Sequence, residues 1–375
     1  MTQKHITPKL ITKDADLDQL VEDLQSRPVV AVDTESNSLF AYREQVCLIQ
    51  FSIPGKDFLV DPIELGNIAS LGSVFSNPKI EKIFHAAEYD LLTMQRDFGF
   101  KFSNLFDTMV AARILGRRRV GLGSLLEDEF GVVLEKKYQR ANWGRRPLPQ
   151  AMLEYASLDT HYLIRLRNLL AAELEKRKRW PIANEDFCRL TQVNGTPPEP
   201  HGVDVWRVSG VYDLKPHQIT ILRHLAEYRE ERAQSLDRPL FKVIGDKTLV
   251  AVAEKAPDTL EELSDLPGMT PGQVRRHGKA MLKAVSEGKH APPTKRPRPP
   301  QLDDQVIELI DALRNWRKQM ARKIGVESDI VLPRDILEKI GHTQPKSKEK
   351  LAELMKDVPW RFQEYGDQIF QITQG

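Results

Sequence analysis

The sequence predicts a mixed α/β domain at the amino end of the chain, followed by a mainly helical second half. Short apolar runs typical of buried strands alternate with helical patterns until about residue 190. Beyond that point the strand signals nearly vanish. The chain has 375 residues, more than one hydrophobic core usually supports, so two or three domains are expected.

Four apolar runs in the first half predict the strands of a buried sheet. The polar stretch over residues 35–45, between the first two runs, is typical of a turn. Apolar runs of this kind are found in sheets that are covered by helices, which is the arrangement we expect. The four runs are Val29–Val32, Val46–Phe51, Phe58–Val60 and Lys82–His85.

Helical patterns follow the fourth strand. We expect a helix from about Glu88 to Asp97, and then a helix that Asp107 caps and that runs to Leu115. Ser124 is expected to cap a further short helix. Residues 147–175 predict one long helical stretch.

Two breaks divide the second half of the chain. Residues Thr196–Pro200 read Thr-Pro-Pro-Glu-Pro and predict a linker. Residues Lys289–Pro300 contain five prolines and four Lys or Arg residues without an acid, which predicts an extended basic connector. The expected organisation is a first domain over residues 1–195, a linker over 196–209, a helical module over 210–288, a linker over 289–300 and a second helical module over 301–375.

The two helical segments resemble each other weakly at an offset of 88 residues, with six matches over about 25 positions. Chance similarity between two amphipathic helices is the alternative. We favour a duplication because the two segments have similar lengths and both end in helical patterns. The matched pairs are Leu225/Leu313, Tyr228/Trp316, Arg229/Arg317, Ala233/Ala321, Val243/Val331 and Leu249/Leu337.

The composition limits the class of protein. Hydrophobic residues make up 41% and charged residues 29% of the chain, as in soluble globular proteins. No stretch approaches 18 apolar residues, and Met1–Leu10 lacks a signal-peptide core, so neither a membrane span nor a secretory signal is expected. The two cysteines, Cys47 and Cys188, form no CxxC or Cys/His cluster, which indicates neither zinc nor a disulfide framework. We therefore expect a cytoplasmic protein.

A pair of carboxylates, Asp33 and Glu35, directly follows the first apolar run. On a strand, positions i and i+2 project to the same face, so the two side chains lie side by side and repel unless a cation separates them. The alternative is a polar strand end with Glu35 in solvent. Two further acids have equally simple explanations when taken alone: Asp90 as a favourable charge in the first turn of a helix, and Asp159 as a helix-face residue one turn after Tyr155.

The order of these residues is more specific than any one of them. The chain reads Asp33-Thr34-Glu35, then His85-x-x-x-x-Asp90, then Tyr155-x-x-x-Asp159. This resembles the DEDD superfamily of 3′→5′ exonucleases, in the subgroup whose third motif carries tyrosine, and within it the bacterial ribonuclease D family.

Further segments support the resemblance to the ribonuclease D family. Val46–Gln50 resembles its second strand, and Asp107-Thr108 and Trp143–Leu148 resemble later segments in the same order. The family usually has Asp before this tryptophan, where the chain has Asn142. The resemblance implies a ribonuclease H-like exonuclease domain, a mixed sheet flanked by helices, followed by two small all-α HRDC-like domains. Residues 210–288 resemble the first, with Leu266–Met269 at its tight turn, and residues 301–375 a more divergent second.

The resemblance also implies the chemistry of the site. Carboxylate oxygens are hard ligands that suit Mg²⁺ or Mn²⁺, and two such ions clamp the attacking and leaving oxygens of an in-line displacement. Asp33, Glu35 and Asp159 would hold the metal that activates water, and Asp33 would bridge to the second metal. Asp90 would bind through water or complete the cluster. Tyr155 would orient the attacking water, or help to deprotonate it, near one metal, and orientation is favoured because a free tyrosine has a pKa near 10.

The implied activity is a metal-dependent 3′→5′ exoribonuclease that releases 5′-mononucleotides. Its implied substrates are RNAs with an accessible 3′ end, among them tRNA precursors and other small structured RNAs, and we expect a monomer that does not engage membranes. Two alternatives remain open: a DNA exonuclease with the same carboxylate chemistry, and a non-catalytic nucleic-acid-binding protein.

A basic segment next to the acidic motifs is the candidate grip on nucleic acid. Residues 113–146 hold nine basic and four acidic residues. We expect Lys137 and Arg146 to contact phosphates and Trp143 to stack on a base. A solvated basic surface with a buried tryptophan is the alternative.

Overall fold

The computed structural model describes residues 7–192, 203–297 and 303–375. These residues form two compact units. The first contains the α/β domain and the second helical module, and the other contains the first helical module together with residues 37–45.

The α/β domain is built on a six-stranded mixed sheet with the strand order β1-β4-β3-β2-β5-β6. All four predicted strands are confirmed, although His85 lies just beyond the fourth. β2 continues through Ser36, so residues 35 and 36 are strand and not turn. Two three-residue strands, one at each edge, were too short to be seen as apolar runs. The strands are β1 Lys9–Ile11, β2 Val29–Ser36, β3 Val46–Ile53, β4 Lys56–Val60, β5 Glu81–Phe84 and β6 Leu105–Asp107.

Apolar clusters on both faces place β2 and β3 at the centre of the domain. Val32 and Ile49 pack into the cluster on one face. Ala31 belongs to a cluster on the other face, where Leu48 packs against the helix that carries Asp159. Because both faces are covered, the side chains are apolar over Val29–Val32 of β2 and over most of β3.

Nine helices surround the sheet within residues 7–192. Asp107 caps the fifth as predicted, since its Oδ1 accepts hydrogen bonds from the backbone N–H of Met109 at 2.8 Å and of Val110 at 3.1 Å. The nine helices are α1 Asp14–Gln25, α2 Pro62–Leu65, α3 Gly72–Phe75, α4 Glu88–Phe98, α5 Thr108–Ile114, α6 Leu122–Phe130, α7 Gln150–His161, α8 Leu163–Lys176 and α9 Trp180–Leu190.

Two helix predictions were wrong in detail. α6 begins at Leu122 after an extended Gly121, so Ser124 lies inside its first turn and does not cap it. The stretch over residues 147–175 is two helices that break at Tyr162. The break lets α7 pack on β2, β3 and β4 while α8 packs on β2, β5 and α5, an arrangement that the helical pattern alone does not reveal.

The two helical modules repeat the same path at the predicted offset of 88 residues. In each, an arginine of the long first helix, buried in the first module and partly buried in the second, donates from Nη1 to a carbonyl: Arg229 to Ile244 at 3.1 Å, and Arg317 to Leu332 at 2.9 Å. The structure therefore supports a duplication. The first module contains α10 Pro216–Leu236, α11 Leu240–Val243, α12 Asp246–Lys255, α13 Leu260–Ser264 and α14 Pro271–His290, and the second contains α15 Asp304–Ile324, α16 Ser328–Val331, α17 Arg334–Thr343, α18 Lys348–Leu354 and α19 Pro359–Gln374.

The packed first module extends beyond its predicted boundaries. Of the linker predicted over residues 196–209, residues 196–202 lie outside the described residues, but Val205 and Val208 are buried in the module core. Of the linker predicted over 289–300, the first two residues end α14 and residues 298–300 lie outside the described residues. Thr294 packs back on the module, where its N–H donates to Thr220 Oγ1 at 2.7 Å.

Residues 37–45 pack on the first helical module. The Tyr42 hydroxyl donates to Glu230 at 2.5 Å, and its backbone N–H donates to Asp237 Oδ1 at 3.0 Å. The ammonium group of Lys242 lies 3.8 Å from the centre of the Phe40 ring. This segment, which separates β2 from β3 in the chain, is thus held by side chains from the second half.

The second module is attached to the α/β domain through a buried charged cluster. Arg361, which is 0% exposed, donates to Glu185 at 2.8 Å, to Asp186 at 2.9 Å and to the Ile330 carbonyl at 2.9 Å. Burial raises the pKa of Glu185, and the guanidinium of Arg361 opposes that rise. Ile330 itself is buried in the cluster formed by the last helices of the α/β domain.

No helix among the described residues is both long enough and apolar enough to cross a membrane.

We expect Arg361→Met to lower the free energy of unfolding by about 3–5 kcal/mol, because it leaves two carboxylates at a buried site without their cation. Arg189→Met is the matched control. Arg189 also bridges the α/β domain to the second module, through Asp335 at 2.8 Å, but both side chains are substantially exposed. Its loss should cost under about 1 kcal/mol. Urea denaturation measures both values, and equal losses would contradict the role of the buried cluster.

Candidate active site

β2 positions the first two acids of the site. Asp33 and Glu35 lie two residues apart on this strand and therefore project from the same face of the sheet. Their cross-strand partners on β3 are Gln50 and Leu48, and the pairing becomes irregular immediately after Glu35. The two carboxylates thus lie where the regular ladder ends.

Asp90 reaches the same edge from the first turn of α4, where its charge also complements the helix dipole. It is 8% exposed, and its carboxylate accepts a hydrogen bond from the hydroxyl of Thr34. Because Thr34 lies between Asp33 and Glu35, it ties the third acid to the strand that carries the first two. No sequence pattern indicates this role of Thr34.

The connection between β5 and α4 is shaped by Asp107. Besides capping α5, its carboxylate accepts hydrogen bonds from the backbone N–H of Ala86 at 3.1 Å and of Ala87 at 2.7 Å. Ala86 has a positive φ of 63°, a conformation that costs a residue with a side chain some energy. Asp107 therefore holds the turn that sets the start of α4, and with it the position of Asp90.

α7 carries Asp159 and Tyr155 on one face, and it packs against β2, β3 and β4. The ring of Tyr155 lies between two aromatic neighbours. Its centre is 5.7 Å from that of Tyr138 and 6.2 Å from that of Trp143. These contacts restrain the ring, so the position of its hydroxyl is set by packing.

The four carboxylates lie close enough for their charges to influence one another. Burial raises the pKa of Asp33, and Asp90, Asp159 and Glu35 raise it further. The pKa of Glu35 rises to about 9 through burial and through the charges of Asp159 and Asp90. Burial is also the main cause that raises the pKa of Asp90 to about 7 and that of Asp159 to about 7. Burial, together with the charges of Asp159, Glu35 and Asp33, raises the pKa of Tyr155.

The donor set fits divalent cations of the Mg²⁺ or Mn²⁺ type. It consists of carboxylate oxygens, and in the described part of the chain no basic side chain contributes to the pKa shifts of its four acids. Within residues 7–192, 203–297 and 303–375, no three acidic, histidine or cysteine side chains already surround one point as metal ligands do. Binding a cation would therefore draw the carboxylates together, and it would remove the repulsion that raises their pKa values.

The expected nucleic-acid contacts of Trp143 and Arg146 are corrected by the structure. Trp143 is 1% exposed and packs with Cys47 and Leu48, so its ring has no free face for a base. Arg146 binds Asp61 through Nε at 2.5 Å and Nη2 at 2.7 Å, and it also donates to the Cys47 carbonyl at 2.7 Å.

Trp143 and Arg146 therefore stabilise the structure next to Tyr155. Lys137 differs, because it is exposed, with its ammonium group 5.2 Å from the centre of the Tyr138 ring. It remains the one residue of the three with a side chain accessible to a phosphate.

Comparison with known proteins agrees with this geometry. Residues 8–175 match the 3′-5′ exonuclease family, which depends on divalent metal ions, and residues 218–285 and 307–373 match the HRDC domain. Ribonuclease D of Escherichia coli is 32% identical over 296 residues, which cover 78% of this chain and 77% of that protein. Ribonuclease D of Pseudomonas paraeruginosa is 28% identical over 333 residues, 88% of each chain.

A solved structure matches along nearly the whole chain. The crystal structure of E. coli RNase D, an exoribonuclease involved in structured RNA processing, superposes with a TM-score of 0.70 at 26% identity, covering 98% of this chain and 99% of that one. The predicted fold class, an exonuclease domain followed by two HRDC domains, is confirmed. The chain belongs to the ribonuclease D family and is a hydrolytic 3′→5′ exoribonuclease.

Proposed function

We propose that this enzyme trims the 3′ ends of tRNA precursors and other small structured RNAs and releases 5′-mononucleotides. It does so with two Mg²⁺ or Mn²⁺ ions held by Asp33, Glu35, Asp90 and Asp159. The observation that most strongly supports the metal ions is that neighbouring acids raise the pKa values of Asp33 and Glu35, while no basic side chain among the described residues lowers them. Such a cluster costs stability unless a cation binds to it.

The side chains have distinct roles in this proposal. When bound, the two ions supply Lewis acidity and align the attacking and leaving oxygens of the scissile phosphate. Asp33 and Glu35 provide oxygens from the strand, and Asp159 provides oxygens from the helix above it. Thr34 holds the carboxylate of Asp90 through its hydroxyl.

Tyr155 orients the attacking water. Without metal ions, burial and the neighbouring carboxylates raise the pKa of its phenol above the usual value of about 10, so the hydroxyl is protonated at neutral pH in that state. A protonated phenol forms hydrogen bonds but does not remove the proton of the water. Tyr155 therefore contributes position and not basicity, and the packing of Tyr138 and Trp143 around its ring supports that role.

RNA is the preferred polymer for two reasons. The E. coli relative is an exoribonuclease involved in structured RNA processing, and this chain matches it over nearly its whole length. The chain also carries both HRDC domains. We further propose that the enzyme is monomeric and cytoplasmic. Its two cysteines, Cys47 and Cys188, form no CxxC motif, which fits a reducing compartment.

A tRNA precursor labelled at one end tests substrate and direction together. With the label at the 3′ end, we expect immediate release of labelled mononucleotide in Mg²⁺ or Mn²⁺. With the label at the 5′ end, we expect a product that shortens one nucleotide at a time. A DNA strand of the same sequence is the control. Internal fragments, or faster digestion of the DNA, would contradict the proposal.

Substitutions separate metal binding from water orientation. We expect Asp33→Ala to abolish hydrolysis in Mg²⁺ while RNA binding survives, because the phosphate contacts lie elsewhere. Tyr155→Phe should reduce kcat roughly 10²-fold or more but leave measurable turnover, since the carboxylates remain and only a positioning hydrogen bond is lost.

The matched control for these two variants is Tyr162→Phe, which removes a phenol hydroxyl where α7 ends, three residues after Asp159. It should retain the parent rate. Turnover by Asp33→Ala at the parent rate would remove Asp33 from the site, and a parent rate for Tyr155→Phe would remove the phenol from the mechanism.

The carboxylate cluster should also make the stability of the metal-free enzyme depend on pH. The folded pKa of Glu35, about 9, lies above its ordinary value of 4.5, so its contribution to stability is complete below pH 4.5 and is lost as the pH rises towards 9. In EDTA we expect Glu35→Gln to raise the unfolding midpoint at pH 8 by roughly 2–4 °C, which corresponds to about 1 kcal/mol.

At pH 5 the same substitution should change the midpoint much less, because that pH lies close to the ordinary pKa of 4.5, so keeping Glu35 protonated in the folded state costs little free energy there. Thermal unfolding in EDTA and in Mg²⁺ measures the effect, and Mg²⁺ should stabilise the parent more than the variant. A variant with the same pH dependence as the parent would show that Glu35 is not part of a mutually repelling cluster.

A further inference from the structure

Gln50 is a buried amide without a hydrogen-bond partner. It lies at the centre of β3 and is 0% exposed. Within the described residues, neither its Nε2 nor its Oε1 has a hydrogen-bond partner. An unsatisfied buried amide is costly, and the large majority of such groups in folded proteins are paired. A leucine or methionine would fill the same space without that cost, so the amide needs an explanation.

The pairing of the strands places Gln50 beside the carboxylate site. Gln50 lies directly across from Asp33 on β2. Residues that face each other in an antiparallel pair project from the same side of the sheet, with their Cβ atoms about 4.5–5.5 Å apart. Gln50 is therefore on the carboxylate side. Its neighbours on the same strand, Ile49 and Phe51, pack into the cluster on the opposite face.

The chemistry of an amide suits a role next to a metal ligand. Its –NH₂ group offers two donors, and a carboxylate that binds a cation through one oxygen keeps free electron pairs as acceptors. Carboxylates that bind metals are usually oriented by hydrogen bonds from a surrounding residue, and loss of such a partner typically weakens metal binding 10- to 100-fold.

We propose that Gln50 is a positioning residue: its Nε2 donates to the carboxylate of Asp33 when a divalent cation is bound, and so fixes the orientation in which Asp33 coordinates. The inference rests on the proposed role of Asp33 as a metal ligand. It adds a residue from the neighbouring strand to a site otherwise formed by β2, α4 and α7. It also explains why the amide has no partner in the ligand-free fold, since its acceptor is the oriented carboxylate.

The test is Mn²⁺ binding to the full-length Gln50→Met variant, measured by titration calorimetry, with urea unfolding of the metal-free protein as a second readout. Methionine has a similar length and no amide. We expect the Kd for Mn²⁺ to rise about tenfold, while the metal-free stability is unchanged or higher, because no hydrogen bond is lost in that state. Gln50→Leu repeats the test with a different shape, in case methionine packs poorly.

Ile49→Val is the matched control, because it alters the same strand on the opposite face. It should lower the metal-free stability and leave the Kd for Mn²⁺ unchanged. Unchanged Mn²⁺ affinity in both Gln50 variants would overturn the inference, and so would a loss of metal-free stability in both, since the amide would then be bonded in the ligand-free fold. Asp33→Ala separates the two levels: if it also binds Mn²⁺ like the parent, the proposed metal site itself fails.

Discussion

Asp33, Glu35, Asp90 and Asp159 repel one another at one edge of a buried sheet, and the surrounding elements hold them there. Asp33, Asp90 and Asp159 come from three elements that are distant in the chain, and Asp90 and Asp159 each raise the pKa of both Asp33 and Glu35. Such a cluster opposes folding in the absence of cations. The surrounding structure must therefore hold the acids in place against their own repulsion, and much of the domain near them serves that purpose.

The side chains around the four acids hold them in place through hydrogen bonds, aromatic packing and ion pairs. Thr34 and Asp107 hold Asp90 and the turn before its helix through hydrogen bonds. Trp143 contacts the ring of Tyr155. Arg146, which lies in the same loop as Trp143, donates hydrogen bonds to the carboxylate of Asp61 and to the carbonyl of Cys47 on β3. It thereby joins that loop to β3. None of these contacts places a positive charge among the four acids, which leaves the cluster free to bind a cation.

The two helical modules share one fold but differ at the position that attaches the second module to the α/β domain. Both copies keep the arginine that closes the long first helix onto the following turn. At the position where the second copy has Arg361, 88 residues earlier, the first copy has Gln273. Only the second copy can therefore form the buried ion pairs with Glu185 and Asp186. A glutamine at that position supplies no charge to compensate buried carboxylates.

Four features could be predicted from the sequence because each depends on residues close together in the chain. They are the strands at the centre of the sheet, the cap at Asp107, the order of the acidic motifs and the offset of the repeat. Only the three-dimensional structure shows that Thr34 binds Asp90 and that Gln50 faces Asp33. It also shows that Trp143 and Arg146 are structural and that the helical stretch breaks at Tyr162. These features depend on strand pairing and on contacts between distant segments. A local pattern gives the type of an element, but it does not state which side chains that element will meet.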